Sequence, residues 1–233
     1  MVGKRRYQLL CPVARALDAV GDRWSLLILR DLHAGPARFQ QLQEGLGMAT
    51  NLLTSRLAEL VEAGLLRRLE EDQADGRRSG AYALTELGRS TDRLLWELVR
   101  FGGRLDRDPD PRKPGNLRTV ALPLAMMLRS VEGRPSLVVR LLIDDDTLLL
   151  RITPGEVDVV HESSQPAGGD WSRAEPDVIL RTTYEGFLDL AEGRMGLEEF
   201  VADHREVLHG ADRAAEFGSI MAQALRAAEQ GLV

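Results

Sequence analysis

Residues 38–64 have the sequence RFQQLQEGLGMATNLLTSRLAELVEAG, in which two short apolar repeats flank a pair of glycines. In the first repeat, Phe39, Leu42 and Leu46 follow the i, i+3, i+7 spacing of one helix face. The glycines predict a turn, and a second helix is predicted over Asn51–Ala63. The apolar stripe of this second helix consists of Leu53, Leu57, Leu60 and Val61. Two short helices joined by such a turn are typical of a helix-turn-helix unit, whose second helix enters the DNA major groove.

The segments on either side extend this unit to a winged helix. Their periodicity predicts helices over Pro12–Val20 and Trp24–Leu32, strands over Leu65–Glu71 and Ala81–Leu84, and a closing helix over Thr85–Phe101. Asp22 is suited to cap the second helix, and the polar stretch between the strands is typical of a hairpin tip. Three helices, a hairpin and a closing helix in this order indicate a winged helix-turn-helix domain.

Several motifs in residues 7–103 point to one family. In chain order they are CPVARALDAVGDRWSLLILRDL (11–32), Gly35-Pro36, Phe39, Leu42, LTSRL (53–57), Leu60, Gly64-Leu65 and YALTELG (82–88). Together they resemble the HxlR-type regulators of the MarR-like winged-helix group. The resemblance implies a homodimeric bacterial transcription factor that binds duplex DNA through paired wings and recognition helices. Two positions depart from the family: Ala49 stands where a serine cap is usual, so that Thr50 could cap instead, and Ala81 replaces an acidic residue.

The polar residues at the start of the second helix are the candidates for DNA contact. They are Thr50, Asn51, Thr54, Ser55 and Arg56. Asn51 could form two hydrogen bonds to an adenine edge, and Ser55 and Thr50 could bind a purine or a phosphate. Arg56 is expected to hold the DNA backbone. The alternative for each is a solvated helix face.

Charge is distributed unevenly along the chain. Residues 1–105 contain 16 Lys and Arg against 13 Asp and Glu, a net charge of +3, whereas residues 106–233 contain 14 against 23, a net charge of −9. This asymmetry indicates a module that faces nucleic acid beside an acidic one. At the wing tip, Arg77 and Arg78 suit phosphate or the narrow minor groove, unless they belong to a solvated loop.

A proline-rich segment marks the expected domain boundary. Residues 104–116, RLDRDPDPRKPGN, contain three prolines and alternating charges, which favours an extended linker over a helix. We therefore expect a DNA-binding domain at 1–105, a linker at 106–117 and a second domain at 118–233. A long surface loop within one domain is the alternative.

The second part of the chain predicts an antiparallel sheet followed by helices, an α+β domain. The predicted elements are a helix over 117–128, strands over 136–143, 147–153, 157–161 and 177–183, and helices over 184–192, 197–204 and 213–230. The motifs DVILRT (177–182), FLDLAEG (187–193) and VLHGAD (207–212) are similar to those of a sterol carrier protein-type domain over residues 118–230. That resemblance implies an apolar tunnel for lipids or other hydrophobic molecules. Its candidate lining residues are Phe187, Leu190, Phe200, Val207, Phe217 and Met221, for which the alternative is an ordinary packed core.

Cys11 is the one cysteine, so the chain can form no internal disulfide. Some members of the resembled family sense oxidants through a cysteine near this position, and a thiol before a helix N-terminus is more readily ionised. The alternative is a small buried apolar residue.

A homodimer is expected, with Leu94, Leu95, Leu98 and Phe101 of the closing helix offering apolar contact surface.

Nothing in the sequence predicts an enzyme, a cofactor or a metal site. His204 and His209 are not spaced for one helix face, and Asp144–Asp146 lacks the ligand spacing of a calcium loop. No apolar run reaches the ~18 residues of a membrane span, and the N-terminus lacks a signal-peptide core, so we expect a cytoplasmic protein.

The sequence therefore indicates a DNA-binding transcriptional regulator, in particular a repressor. It is expected to bind duplex operator DNA as a homodimer, under the control of a hydrophobic ligand in the C-terminal domain. The alternative is a lipid-binding or carrier protein whose winged helix serves mainly for dimerisation.

Overall fold

The computed structural model describes residues 7–69, 80–105, 116–164, 174–191 and 194–230. The chain divides into two compact units, residues 1–95 and 96–233. The division at 105 and 118 with an intervening linker stays a prediction, because linker residues 106–115 lie outside the described ranges.

The first unit has the helices and hairpin of a winged helix-turn-helix. Its elements are α1 (Pro12–Val20), α2 (Arg23–His33), α3 (Phe39–Leu46), α4 (Thr50–Glu62), β1 (Leu66–Arg68), β2 (Tyr82–Leu84) and α5 (Glu86–Arg89), with α6 (Asp92–Gly102) running across the boundary. The strands β1 and β2 pair antiparallel, with Leu66 opposite Leu84. A further bridge joins Ala37 to Tyr82, so the segment before α3 extends the hairpin.

The residues that were expected to begin and end these helices largely do so. Asp22 accepts a hydrogen bond from the backbone N–H of Trp24 at 2.9 Å and caps α2. Gly47 ends α3 in the left-handed conformation, with φ of 64°, which glycine adopts without strain. The core stripe of α4 is confirmed at Leu53, Leu57 and Leu60, which are buried, and is wrong at Val61, which is 38% exposed. Val61 lies about 100° around the helix from Leu60, outside the buried face.

The predicted closing helix over Thr85–Phe101 is interrupted and forms two helices, α5 and α6. The Thr85 hydroxyl accepts from the N–H of Gly88 and caps α5. Between the helices, the hydroxyls of Ser90 and Thr91 each donate to a backbone carbonyl of α5. Such side-chain bonds compete with the helical ladder, which explains the break that periodicity alone did not predict.

The second unit is an α+β arrangement, as predicted. Its elements are α7 (Arg118–Arg129), β3 (Leu137–Ile143), β4 (Asp146–Ile152), β5 (Val157–His161), a 3₁₀ turn (Glu162–Ser164), β6 (Val178–Thr182), α8 (Tyr184–Ala191), α9 (Leu197–Asp203), β7 (Glu206–His209) and α10 (Ala211–Glu229). The strands form a sheet in the order β5-β4-β3-β6-β7. Helices α7 and α10 pack on each other, and they contact β5 and β6, respectively.

The sheet differs from the predicted antiparallel one in a single pairing. Strands β3 and β6 are parallel, with Val139 opposite Val178, whereas the other three pairings are antiparallel. After β5 at one edge, the chain crosses to the far side of β3, where β6 runs in the same direction as β3. Strand β7 was not predicted, because its four residues are mostly exposed and show no apolar alternation.

Alternate residues of β3 bury the core of this unit. Leu137, Val139, Leu141 and Ile143 are buried, and the residues between them are half-buried, as a period of two requires. Pro123 lies inside α7, where it removes one backbone donor from the helical ladder. No helix in the described ranges is both long and apolar enough to span a bilayer.

Candidate nucleic-acid interface and apolar cleft

The N-terminal end of α4 presents polar side chains to solvent. Because the leucine stripe faces the core, Thr50, Asn51, Thr54 and Ser55 are exposed on the opposite side. The backbone N–H groups at this end have no helical acceptors, and the helix dipole is positive there. Four of the five residues expected to contact DNA from α4 therefore lie together on one accessible surface.

The hydroxyl groups of this surface have defined hydrogen-bond partners. The amide of Gln43, on α3, donates to the Thr50 hydroxyl oxygen at 2.8 Å. The Thr54 hydroxyl donates to the Thr50 carbonyl at 2.9 Å. The helix begins at Thr50 and its N-cap is Ala49, which supplies no side-chain bond, so the expected capping by Thr50 is wrong. The Gln43 contact instead ties the two helices of the helix-turn-helix together.

Arg56 lies between two carboxylates. Its Nη1 is 2.6 Å from Oε2 of Glu59, and its Nε is 3.5 Å from Oδ1 of Asp22, the cap of α2. Its side chain is 21% exposed, in contrast to the neighbouring Ser55. The contact of Arg56 with the DNA backbone stays a prediction, and it would compete with both ion pairs.

Glu59 was not predicted as a site residue, although its spacing from Ser55 and Arg56 indicated contacts with both. Its Oε1 accepts a hydrogen bond from the Ser55 hydroxyl at 3.0 Å, while its other oxygen binds Arg56. Residues three and four apart face each other on a helix, so the spacing of Ser55, Arg56 and Glu59 predicts these contacts. The ion pair of Arg56 with Asp22 could not be predicted from this spacing, because the two residues are far apart in the sequence.

The base of the wing contributes cations in addition to those predicted at its tip. Arg77 and Arg78 lie outside the described residues, so their predicted role is untested. On β1, Arg67 and Arg68 are exposed. The positive charge at the base of the wing therefore adds to the charge predicted at its tip.

Cys11 lies at the N-cap position of α1 and is exposed, so the alternative of a buried apolar residue is wrong. Its sulfur makes no side-chain capping hydrogen bond. The oxidant-sensing role that the family resemblance implies stays a prediction.

Exposed apolar side chains occur on α6 and, separately, on α1. On α6, Leu94, Leu98 and Phe101 are 44, 42 and 61% exposed. Leu95 is 5% exposed, so its expected place on a dimer contact surface is wrong, because it points into the core. On α1, Val13 and Leu17 are 65 and 44% exposed.

The second unit contains an apolar cleft beside α7; the empty space of about 340 Å³ between its walls includes open solvent. It is lined by Val120, Pro123, Leu124, Met127, Phe187, Leu190, Met221 and Leu225. Phe187, Leu190 and Met221 were predicted to line a ligand site, and the structure brings them together. Phe200, Val207 and Phe217 are not among the lining residues; Phe200 and Phe217 are buried and Val207 is half-buried. The sequence did not predict that α7 lines the cleft, although Pro123 inside this amphipathic helix indicated an irregular helix surface.

A polar contact joins the start of β4 to the end of β5. The Oδ1 of Asp146 lies 2.7 Å from Nε2 of the buried His161. Burial alone would raise the pKa of Asp146, but the hydrogen bond and charge of His161, together with the backbone N–H of Thr147 and the charge of Arg118, outweigh it and lower that pKa. For Asp158 on β5, burial and the nearby Glu156 carboxylate raise the pKa. Within the described ranges, no group of three His, Cys, Asp or Glu side chains could hold a metal ion.

Comparison with known proteins places the similarity in the first part of the chain. A family model described as HxlR-like helix-turn-helix matches residues 19–108. An uncharacterized HTH-type transcriptional regulator of Mycobacterium tuberculosis is 43% identical over 90 residues, which cover 39% of this chain and 56% of that protein. A regulator from Synechocystis is 33% identical over 40% of this chain and 68% of its own length. Another, YdeP of Bacillus subtilis, is 30% identical over 44% of this chain and 83% of its own length. The chain thus spans about half the length of the mycobacterial relatives it matches.

Two solved structures resemble the chain in part. Quinone-bound YodB from B. subtilis is 26% identical and has a TM-score of 0.35, over 41% of this chain and 100% of its own. The UbiJ-SCP2 ubiquinone synthesis protein is 15% identical and has a TM-score of 0.28, over 58% of this chain and 96% of its own.

Proposed function

This chain belongs to the HxlR-like helix-turn-helix family, and on that premise we propose that it is a cytoplasmic transcriptional repressor without enzymatic activity that binds duplex operator DNA. The observation that carries the proposal is the exposed polar N-terminal end of α4 above a buried leucine stripe. This arrangement is what a recognition helix needs, since one face must hold the domain together while the other contacts base edges.

Asn51 is the residue of this surface best suited to base recognition. Its exposed amide carries both a donor and an acceptor, which match the N7 and N6 groups of adenine in the major groove. Arg67 and Arg68, with Arg77 and Arg78 of the wing, would supply contacts to phosphate that add affinity without sequence preference. We therefore assign specificity to α4 and salt-dependent affinity to the wing.

The regulator acts as a homodimer, because one recognition helix contacts too few base pairs for useful specificity. The exposed leucines and Phe101 of α6, and the exposed Val13 and Leu17 of α1, supply apolar surface that a second copy can cover. Light scattering should give twice the mass of the chain at micromolar concentration, and Leu98→Asp should shift it toward the monomer. A monomeric wild-type chain would contradict this part of the proposal.

The cleft beside α7 is proposed as the site of a hydrophobic effector. Its apolar lining would favour an apolar molecule and offers no polar group to hold a charged one. The net charge of −9 on residues 106–233 disfavours contact with DNA, which suits a sensing role over a binding one. An effector can change operator affinity only through its different affinity for two arrangements of the protein, typically worth about 1–3 kcal/mol.

A gel-shift assay with the DNA upstream of the chain's own gene tests the proposal. The full chain should shift this duplex at lower concentration than an unrelated duplex, and Asn51→Ala should remove most of that difference. Glu62→Gln is the matched control, because Glu62 is exposed at the far end of α4. Equal affinity of the wild-type chain for both duplexes, repeated with duplexes selected from a random library, would refute sequence-specific binding.

The apolar cleft also favours a second candidate, a lipid-binding or carrier protein whose winged helix mainly dimerises. Under this alternative the purified chain carries lipid, detectable by mass spectrometry, and selects no sequence from a random duplex library. The two candidates therefore differ in one measurable property, the sequence preference for DNA.

A further inference from the structure

The carboxylate of Glu59 is held from two directions on the surface of α4. One oxygen accepts from the Ser55 hydroxyl at 3.0 Å, and the other lies 2.6 Å from Nη1 of Arg56. Arg56 is in turn paired with Asp22, which caps α2. The carboxylate therefore cannot rotate away from Ser55 without loosening its own ion pair with Arg56.

This arrangement determines what the Ser55 hydroxyl can offer to a partner. A serine hydroxyl has one hydrogen to donate and two lone pairs to accept with. A glutamate carboxylate that is paired with a guanidinium accepts only, so the single Ser55 hydrogen points to Glu59. Toward any other partner, Ser55 presents lone pairs alone.

We propose that Glu59 makes Ser55 an acceptor-only recognition residue, selective for the exocyclic amino group of adenine or cytosine in the major groove. The inference rests on the proposed function, namely DNA binding through α4. Adenine N6 and cytosine N4 are the donors that base edges present in this groove, whereas guanine and thymine present acceptors there. Phosphate oxygens are acceptors as well, so Ser55 in this state binds neither them nor a keto group. Glu59 is a positioning residue, which acts through the hydroxyl it orients.

The Thr50 hydroxyl, on the same surface, has the opposite hydrogen-bond role. Its oxygen accepts from the Gln43 amide, which leaves the Thr50 hydrogen available to donate to a phosphate or a keto group. The two ends of the same exposed surface thus differ in hydrogen-bond direction, although both residues carry a hydroxyl. This contrast gives a control for the experiment, because a change at Glu59 leaves the Thr50 contact in place.

The test is selection of bound duplexes from a random library by the full chain, followed by affinity measurements in which each base of the selected site is varied. The wild-type chain should require adenine or cytosine on one strand at one position per half-site, with guanine or thymine binding roughly three- to tenfold more weakly, as expected for a single hydrogen bond. Ser55→Ala should abolish the preference at that position. Glu59→Gln should reduce it to less than about twofold, because a glutamine side chain can donate as well as accept and the Ser55 hydrogen can then turn to the DNA. Glu62→Gln should leave every position unchanged.

Each other result counts against the inference. A Ser55-dependent position that prefers guanine or thymine contradicts the acceptor role, and a preference that survives Ser55→Ala means that another residue supplies it. A preference unchanged in Glu59→Gln removes the positioning role, and an equal loss at all positions assigns Glu59 to the general placement of α4. A wild-type chain that selects no sequence refutes the proposed function, whereas a chain that selects a site without these dependencies refutes only this inference.

Discussion

At the N-terminal end of α4, three hydroxyls have a defined donor or acceptor partner, whereas the cleft beside α7 is lined by apolar side chains. The first surface can distinguish partners by the direction of hydrogen bonds, which differs between bases. The second can distinguish them only by size and shape, since apolar contacts are not directional. The chain thus combines a surface that can select a partner by its hydrogen-bonding groups with a cleft that can select one only by size and shape.

The largest expected effect comes from the length of an apolar ligand. Burial of each methylene contributes about 0.8 kcal/mol, so single-chain lipids that differ by four methylenes should differ by about 3 kcal/mol in binding free energy while the cleft can enclose them. Exchange of the head group between alcohol, carboxylate and amine should change affinity much less. Displacement of a fluorescent apolar probe from the full chain measures both.

Two tryptophan variants test whether the apolar probe binds in the cleft beside α7. Met127→Trp places a larger side chain in the cleft and should abolish binding of the probe, whereas Met126→Trp, on the same helix but not among the lining residues, should bind normally. If the head group changed the binding free energy more than the chain length did, a polar group would select the ligand. The cleft would then not differ from α4 in using apolar contacts in place of directional hydrogen bonds.

The next effect in size is the loss of base recognition. Asn51→Ala should cost about 1–3 kcal/mol for duplexes with the preferred base and almost nothing for duplexes without it. Fluorescence anisotropy with the two sets of duplexes gives the difference, and Glu62→Gln serves as the control. An equal loss for both sets would show that Asn51 adds affinity without specificity.

The two regions also differ in how far the sequence predicted them. The core stripe of α4 followed from the leucine spacing, and with it the exposed positions of Asn51 and Ser55, because helix periodicity is a local property. The ion pair of Arg56 with Asp22 depends on the packing of α4 against α2, which no local pattern contains. In the second unit, the parallel pairing of β3 with β6 depends on a crossover, so the strand pattern alone suggested the wrong direction.

A smaller effect is expected from two carboxylates on neighbouring strands whose pKa values are shifted in opposite directions. The lowered pKa of Asp146 in the folded chain means that this group stabilises the fold above its unfolded pKa and loses that contribution as the pH falls through the folded value. The raised pKa of Asp158 means that ionisation near neutral pH opposes folding. Asp146→Asn should therefore lower the free energy of unfolding at about pH 7 by about 1 kcal/mol, and Asp158→Asn should leave it unchanged or raise it.

Urea denaturation at about pH 7 and at about pH 3 measures these differences. The deficit of Asp146→Asn relative to the wild-type chain should shrink at the lower pH, because the stabilising contribution of the Asp146 carboxylate declines as the pH falls from its unfolded pKa toward its lowered folded pKa. A deficit that is equal at both pH values would assign the effect to packing and not to the ionised carboxylate of Asp146. Neither variant should change binding of the apolar probe, since neither residue lines the cleft.

The smallest effect concerns the wing. Arg77→Ala should weaken binding to all duplexes alike and reduce the slope of log affinity against log salt by about one. Arg67→Ala should act in the same way, because Arg67 is exposed on β1. Affinity measured over a series of salt concentrations gives the slope. An unchanged slope in both variants would mean that the wing does not touch phosphate.

The most direct test of the account is the affinity of the full chain for its selected duplex, measured with and without a saturating long-chain lipid. We expect tight binding to this duplex, much weaker binding to a scrambled one, and a change in affinity of about fivefold to 150-fold on addition of lipid, the range that typical coupling energies give. In Met127→Trp, the lipid should have no effect, and the affinity without lipid should be that of the wild-type chain. Equal binding to the selected and scrambled duplexes, or an affinity that the lipid leaves unchanged in the wild-type chain, would contradict a DNA-binding regulator controlled through its apolar cleft.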